Sequence, residues 1–310
     1  MTTMICGSLA YDTVMVFDGR FQEHILADRI HMLSVSFLVP KMRRNFGGVA
    51  GNIAFNLRLL GMKSHVLASV GDDFDPYETW LRRHDVGLEY VKRIADTYTA
   101  QAFITTDLDD NQITAFHPGA MDHAGTLAVP TNAGITLGLV GPDSRDAMVR
   151  HADQFATAKI PFIFDVGQGL PLFDGPALTR FIDQATWVIV NDYEGQLIQE
   201  RTGLSAEAIA ARCSAYIVTR GSQGSVIYAD GQVIEIPVVA PKAVVDPTGC
   251  GDAYRAGIVY GLNKKLPWET TGRLASLLGA IKIAYHGTQA HGDELQRIDD
   301  RYSAEFGYAL

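Results

Sequence analysis

Two close glycines, a carboxylate and the start of a helix follow one another in Asp246-Pro247-Thr248-Gly249-Cys250-Gly251-Asp252-Ala253-Tyr254-Arg255-Ala256-Gly257. The stretch Ala253 to Gly261 reads as helical. Small residues let a ligand approach the backbone, and N–H groups ahead of a helix, together with its positive end, favour an anion. Asp252 is out of place as an anion binder, because it carries its own negative charge. It makes chemical sense as a base facing a hydroxyl that attacks a bound phosphoryl group. For an isolated Gly-x-Gly-Asp, an ordinary glycine turn with an acidic N-cap is the competing reading. Two familiar nucleotide motifs are missing: there is no Gly-x-x-x-x-Gly-Lys-Ser/Thr, and Gly249-Cys250-Gly251-Asp252-Ala253-Tyr254 lacks the third glycine of the dinucleotide fingerprint.

The elements that position this stretch read as alternating strands and helices. Met4 to Asp12 reads as a buried first strand ending in Gly7-Ser8 and then an acid, which puts Asp12 at a strand's C-terminal edge. Ligands of open α/β sheets bind at such edges, and a carboxylate there accepts two hydrogen bonds from a pair of sugar hydroxyls. Thr13 to Phe17, Ser34 to Leu38 and Arg43 to Phe46 are short β-like pieces that alternate too strongly for a buried parallel sheet. Ile53 to Gly61 and Pro76 to His84 read as helices, and Ser64 to Val70 as a strand. Thr99 to Thr106 and Gln112 to His117 form a hairpin that turns near Asp109-Asp110-Asn111. Phe116 on that hairpin suits a nucleobase, since an aromatic face recognises a flat ring. From Thr136 onward the alternation is regular: Leu137 to Val140, helix Asp146 to Phe155, Pro161 to Asp165, Thr186 to Val190 and Tyr216 to Thr219, which argues for βαβ units and a parallel sheet. Ser225 to Tyr228 and Gln232 to Ile236 turn at Asp230-Gly231, and a last helix, Arg273 to Tyr285, breaks at His286-Gly287-Thr288-Gln289.

The stretch Asp246 to Asp252 resembles the C-terminal signature Asp-Thr-x-Gly-Ala-Gly-Asp of the ribokinase-like (PfkB) carbohydrate kinases. Pro247 and Cys250 depart from it without removing a functional group, because the loop works through its backbone. Gly47-Gly48-Val49-Ala50-Gly51-Asn52 matches the family's Gly-Gly-x-x-x-Asn. Asn191-Asp192-Tyr193-Glu194 matches its Asn-x-x-Glu, and Thr219-Arg220-Gly221-Ser222-Gln223-Gly224 its Thr-x-Gly-x-x-Gly. With Asp12, these occur in the family's order over nearly the whole chain. Gly19-Arg20-Phe21 and Leu33-Ser34-Val35-Ser36-Phe37-Leu38-Val39 look like the bacterial adenosine or nucleoside kinase branch.

The resemblance implies one domain over residues 1–310: a three-layer α/β/α ribokinase-like fold with a mostly parallel central sheet. A small β-sheet lid would come from about residues 13–46 and 99–117. It implies a kinase using ATP and Mg²⁺ to phosphorylate the 5′-hydroxyl of a purine ribonucleoside, adenosine first, with inosine and guanosine as further acceptors. Asp252 would be the base, and the N–H groups of Gly249, Cys250 and Gly251 would hold the developing charge. Ser8, Asp12, Ser36, Gly48, Asn52, Phe116 and Gln168 would meet the nucleoside; the branch often has a second aromatic where Ala102 stands. Asn191, Thr219, Gly221, Gly224, Thr248, Gly249 and Gly251 would meet the nucleotide, with Glu194 reaching the metal through water. Arg255, one turn into the helix, would face phosphate or solvent. In many members the end of the last helix also carries a monovalent-cation loop, here for K⁺. Related proteins pair their lids, which implies a homodimer.

Composition is compatible with all of this. The chain has 310 residues, 47% hydrophobic and 20% charged, enough for a sizeable core. Lys+Arg 26 against Asp+Glu 35 gives −9, which argues against nucleic acid or an anionic membrane as the main partner. Cys6, Cys213 and Cys250 are odd in number and scattered, pointing to a reducing cytoplasm rather than a disulfide framework. His286 and His291 have no third ligand to suggest a transition metal. A sugar kinase for ribose or fructose is the nearest alternative, distinguished by polar lid residues in place of an aromatic contact. A non-catalytic nucleoside sensor on the same fold is the reading from another class, and the retained Asp252 speaks against it. A dehydrogenase lacks its glycine fingerprint.

Overall fold

The computed structural model describes residues 2–25, 35–109, 111–292 and 298–310. In chain order the elements are β1 (Thr2–Cys6), β2 (Ala10–Val16), α1 (Phe21–His24), β3 (Lys41–Gly47), α2 (Val49–Leu59), β4 (Ser64–Val70), α3 (Asp75–Arg83), β5 (Gly87–Arg93), β6 (Ala100–Thr106), β7 (Gln112–His117), β8 (Ile135–Val140), α4 (Arg145–Thr157), β9 (Phe162–Asp165), α5 (Gly175–Gln184), β10 (Trp187–Asn191), α6 (Asp192–Thr202), α7 (Ala206–Ala210), β11 (Ala215–Thr219), β12 (Ser225–Ala229), β13 (Gln232–Ile236), α8 (Cys250–Lys264), α9 (Trp268–Lys282) and α10 (Ile298–Phe306).

Nine strands form the large sheet in the order β13-β12-β11-β10-β9-β8-β1-β4-β5. Pairing is parallel from β5 through β11, and β12 and β13 add an antiparallel edge. The strands carry apolar residues on both faces because helices cover both. On β1, Ile5 enters a core with α2, α3, α8 and α9, while Met4 and Cys6 enter a second core with α4, α5, α6 and α7. The chain winds outward from β1 in both directions, so the C-terminal ends of β1 and β8 flank the crevice where ligands of such sheets bind. This is the ribokinase-like three-layer arrangement expected from the motifs. Among the described residues no helix is long and apolar enough to cross a membrane.

A second, four-stranded sheet has the order β3-β2-β6-β7 and is antiparallel except for the β2/β6 pair. Two expectations change here. Met4 to Asp12 is not one strand: the chain leaves the large sheet at Cys6, turns through Gly7-Ser8-Leu9, and re-enters the small sheet as β2. Asp12 is therefore the third residue of β2, and not the end of β1. Residues 35–38 of the expected strand Ser34 to Leu38 have no strand partner, while Ser34 lies outside the described residues. The strand β5, whose residues Gly87-Leu88-Glu89-Tyr90-Val91-Lys92-Arg93 bury only Leu88 fully, completes the edge of the large sheet beside β4.

Candidate active site

The first turn of α8 is set by Gly249, which turns the chain with φ of +81°. A side chain at that position would also press on the Thr288 methyl at 3.0 Å, so only glycine fits on both counts. Asp252 is the third residue of the helix. Its Oδ2 accepts the Asn52 side-chain amide at 2.8 Å. Desolvation raises its pKa to about 6, against the lowering effects of Arg255 and the Asn52 hydrogen bond. One expected anion donor is engaged elsewhere: the Cys250 N–H donates to the Pro247 carbonyl at 3.1 Å, closing the turn that leads into α8. The exposed Thr248 donates its N–H to Oδ1 of Asp246 at 2.9 Å.

Asn52 sits in the first turns of α2 and is buried at 3% exposure. Gly48 opens that helix at φ +83°, where a Cβ would lie 2.5 Å from the Ser8 carbonyl and 2.7 Å from the Ala10 nitrogen. Both halves of the Asn52 amide are engaged inside the protein. Nδ2 donates to Asp252, and Oδ1 accepts from Nε2 of Gln289 at 3.0 Å. Gln289 Nε2 also contacts the Tyr77 hydroxyl at 2.6 Å, and its Oε1 accepts the Trp80 indole N–H at 2.9 Å. Tyr77 in turn donates to the Gly47 carbonyl at 2.8 Å. The resemblance gives Asn52 to the ribose hydroxyls; in this structure one of its two Nδ2 hydrogens goes to the Asp252 carboxylate, so its amide also orients that group. The sequence marks His286-Gly287-Thr288-Gln289 only as a helix end and gives no signal for Gln289, Tyr77 or Trp80 in this relay.

The Asp12 carboxylate lies against Gly47, where any side chain would collide with it. Its pKa is raised to about 6 by desolvation, then by the carboxylates of Asp252 and Asp246. Asp12, Asp252 and Asp246 thus lie close enough together for the other two carboxylates to raise the pKa of Asp12. The pairing registers Asn45–Asp12, Asp12–Ala102 and Ala102–Phe116 put these four residues in one row across the small sheet. Directly paired residues share a face, so Phe116 projects on the same side as Asp12. Phe116 is 51% exposed, and the small Ala102 is its paired neighbour on β6. Ser8 is placed at the mouth of α2, where its Oγ accepts the Val49 N–H at 3.3 Å. Ser36 is exposed in a segment without regular structure. Gln168 is exposed in the 3₁₀ turn Gly167–Leu172 that follows β9.

On the nucleotide side, β10 and β11 pair Asn191 with Thr219 at their C-terminal ends. Asn191 Oδ1 accepts the Glu194 N–H at 2.7 Å, and Glu194 Oε2 accepts the Asn191 N–H at 2.8 Å, a reciprocal capping box for α6. Glu194 is buried, and its pKa is raised by desolvation and by Asp165. Thr219 donates its hydroxyl to the Val190 carbonyl at 3.3 Å. Gly221 adopts φ +54° with open space around it, whereas Gly224 is packed against the Ile236 carbonyl, a structural need for glycine.

Arg255 corrects an expectation. It faces neither solvent nor an open phosphate site: it is 7% exposed and forms a two-pronged ion pair with Asp165, through Nε to Oδ2 and through Nη2 to Oδ1 at 2.7 Å. Its Nη1 comes up under Gly251, 2.8 Å from where a Cβ would stand. The pair brings a strand end of the large sheet and α8 into one rigid unit beneath Asp252.

His286 lies 3.4 Å from Arg43, and His291 Nε2 hydrogen bonds Asn56 Oδ1 at 2.8 Å. Among the described residues no group of three or more His, Cys, Asp or Glu side chains could cage a metal ion. The carboxylate present, Glu194, with one oxygen held by the Asn191 N–H, fits a hydrated ion bridged through water and not a direct protein cage.

Comparison with known proteins gives a consistent picture. The family model of pfkB carbohydrate kinases matches residues 12–294. A nucleoside kinase of Methanocaldococcus jannaschii is 30% identical over 270 residues, 86% of this chain and 89% of that protein. The structure of Burkholderia thailandensis nucleoside kinase in complex with inosine superposes with a TM-score of 0.91 at 49% identity, covering 99% of each chain. Its ADP-inosine complex gives 0.88 at 50% identity, covering 99% of this chain and 97% of that one.

Proposed function

The chain belongs to the pfkB family of carbohydrate kinases, and we propose that it transfers the γ-phosphoryl group of ATP to the 5′-hydroxyl of a purine ribonucleoside. Adenosine is the preferred acceptor in this reading, with inosine and guanosine as further substrates. The observation that carries the nucleoside assignment is the row Asp12–Ala102–Phe116. Neighbouring strands lie about 4.8 Å apart, so Asp12 and Phe116 are separated by roughly 10 Å, a span suited to a ribose at one end and a base at the other. A free pentose would leave Phe116 without a partner. The 49% identity to a nucleoside kinase solved with inosine supports the same substrate class.

The mechanism follows from the residues in place. Asp12, near the start of β2, accepts the two ribose hydroxyls, and Gly48, whose Cβ position is filled by the Ser8 and Ala10 backbone, meets the sugar through its own main chain. Phe116 stacks on the base, with Gln168 and Ser36 reaching it from the rim and Ser8 closing the sugar side. Asp252, held by Asn52, takes the proton of the 5′-hydroxyl, and the oxygen attacks the γ-phosphorus in line. The N–H groups of Gly249 and Gly251 and the positive end of α8 hold the charge that develops on the transferred group. Cys250 would join them only if its turn hydrogen bond to Pro247 opened. Asn191, Thr219, Thr248, Gly221 and Gly224 form the nucleotide side. Bound Mg²⁺ would neutralise phosphate charge, and Glu194 would hold it through water.

The small sheet closes over the acceptor in this reading and excludes water from the phosphoryl group. On its other face Met42, Phe103 and Ile113 are 69%, 39% and 43% exposed, an apolar patch suited to pairing two copies through the lid. Sedimentation at micromolar concentration tests the homodimer, and a monomer would contradict it. The thiols and the ATP requirement fit the cytoplasm.

A sugar kinase is the second reading, and Ala102 is the observation that favours it, because it leaves a single aromatic on that face. Initial rates for adenosine, inosine, guanosine, ribose and fructose, measured side by side, decide the matter. Preference for a free sugar would overturn the nucleoside assignment.

A further inference from the structure

Lys282, the last residue of α9, is fully buried, which is rare for a lysine and calls for strong partners. Its Nζ donates to the Asp246 carbonyl at 2.7 Å and to the Tyr285 carbonyl at 3.3 Å. The Asp246 carboxylate beside it is itself fixed by two backbone amides, Thr248 on Oδ1 and Gly287 on Oδ2, each at 2.9 Å. The N–H groups of Val245 and Asp246 both donate to the Ile283 carbonyl, at 2.9 and 3.1 Å. Two segments are therefore tied together around one ammonium: residues 245–252, which lead into Asp252, and residues 283–288 after α9. Burial holds the Lys282 pKa below its ordinary value; Asp246, Cys250 and Asp252 oppose that, and the Arg43 guanidinium adds to it.

The resemblance to the ribokinase-like kinases places a monovalent-cation loop at this end of α9. The donors present do not fit a free ion there. Carbonyl oxygens backed by a carboxylate are the ligands a hard monovalent cation takes, but those of Asp246 and Tyr285 already hold the lysine nitrogen. We propose that the Lys282 ammonium stands in the place of that cation, a tethered cationic group that fixes the phosphoryl-binding loop, so that turnover needs no potassium. Lys282 is then a positioning residue: it touches neither substrate and acts through the loop that carries Gly249, Gly251 and Asp252. The proposal rests on the kinase reading of that loop.

The test compares the wild-type enzyme and Lys282→Met in a buffer whose only cation is tetramethylammonium, with and without about 100 mM KCl or NH₄Cl, controls with choline chloride matching the ionic strength. Wild-type rates should change less than about two-fold on adding potassium, while Lys282→Met should lose roughly ten-fold or more in kcat without it, with a smaller effect on the nucleoside KM. Potassium or ammonium, and not choline, should restore a large part of the variant's kcat. The melting temperature gives a readout independent of catalysis: potassium should raise it for the variant more than for the wild type. A wild-type enzyme that requires potassium would overturn the proposal, as would a variant that is fully active without it, or one that neither salt restores. Should Lys282→Met not fold, the wild-type potassium titration and Lys282→Arg, expected to keep potassium independence, carry the same decision. If wild-type protein turns over no nucleoside or sugar at all, the kinase reading fails, whereas the melting-temperature comparison still judges the tethered charge.

Discussion

The side-chain amide of Asn52, on α2, donates to Oδ2 of Asp252, on α8, at 2.8 Å across 200 residues of chain. That contact fixes one oxygen of Asp252 and ties α8 to α2. Gln289 holds the other end of the same amide, so the carboxylate is aimed by a buried relay and not by solvent.

Removing the donor should change how Asp252 titrates. The Asn52 hydrogen bond lowers a pKa that desolvation has raised to about 6, so Asn52→Ala should move it further up. A base must be deprotonated to act, so the acid limb of kcat should shift to higher pH, by up to about one unit, and this titration alone should lower kcat near pH 7 about two-fold. A pH–rate profile with an unmoved acid limb would show that Asn52 does not tune this group.

Asp252 also costs stability. Its folded pKa is raised above the ordinary 3.8 of an aspartate, so the folded chain holds its proton more tightly than the unfolded chain does. Between about pH 4 and 6 the folded state binds more protons, and stability declines as pH rises through that window. At pH 8 the full penalty applies; below about pH 4 it vanishes. Asp252→Asn should therefore raise stability at pH 8 by about 1–3 kcal/mol, less whatever the altered contact with Asn52 removes, and the gain should shrink toward pH 4. Urea titrations at the two pH values check this, and a gain that does not shrink on acidification would count against the raised pKa.

The Arg255–Asp165 pair is the mechanical counterpart. Arg255→Met leaves a buried carboxylate without its cation, a loss of about 3–5 kcal/mol. Asp165→Leu in the same chain should restore much of it, because replacing both charges by apolar groups removes the unpaired acid. Melting temperatures of the single and double variants give the answer; a single variant as stable as the wild type would contradict the structural role assigned to Arg255.

Much of this was legible in the sequence, and the failures have a common cause. The Gly249–Asp252 turn, the parallel strands and the β6–β7 hairpin are local: glycine conformation, hydrophobic period and turn residues all act within a few positions. Asp12 lies in a second sheet and not at the end of β1, because which strands the chain pairs with after Gly7-Ser8 is decided by Asn45 and Ala102, far away in sequence. Arg255 one turn into a helix looks the same to its neighbours whether it meets solvent or Asp165, a residue 90 positions away. Gln289 and Lys282 escaped for the same reason: their partners are brought by tertiary folding, and a lone polar residue near a helix end carries no mark of burial.

Phe116 should matter for the base and not for the chemistry. Phe116→Ala should raise the KM for adenosine about ten-fold, the worth of one aromatic contact, and leave kcat within about three-fold. Its effect on any activity toward ribose should be small. Steady-state kinetics with both acceptors tests this, and equal losses on the two would remove Phe116 from the base site.

The most direct test is formation of 5′-AMP from adenosine and ATP by wild type and Asp252→Asn, with adenosine affinity measured by calorimetry on both. The expected result is turnover by the wild type and a loss of about 10²–10⁴ in kcat for the variant, with the adenosine Kd within about three-fold. Near-normal turnover by Asp252→Asn, or no 5′-AMP from the wild type, would contradict it.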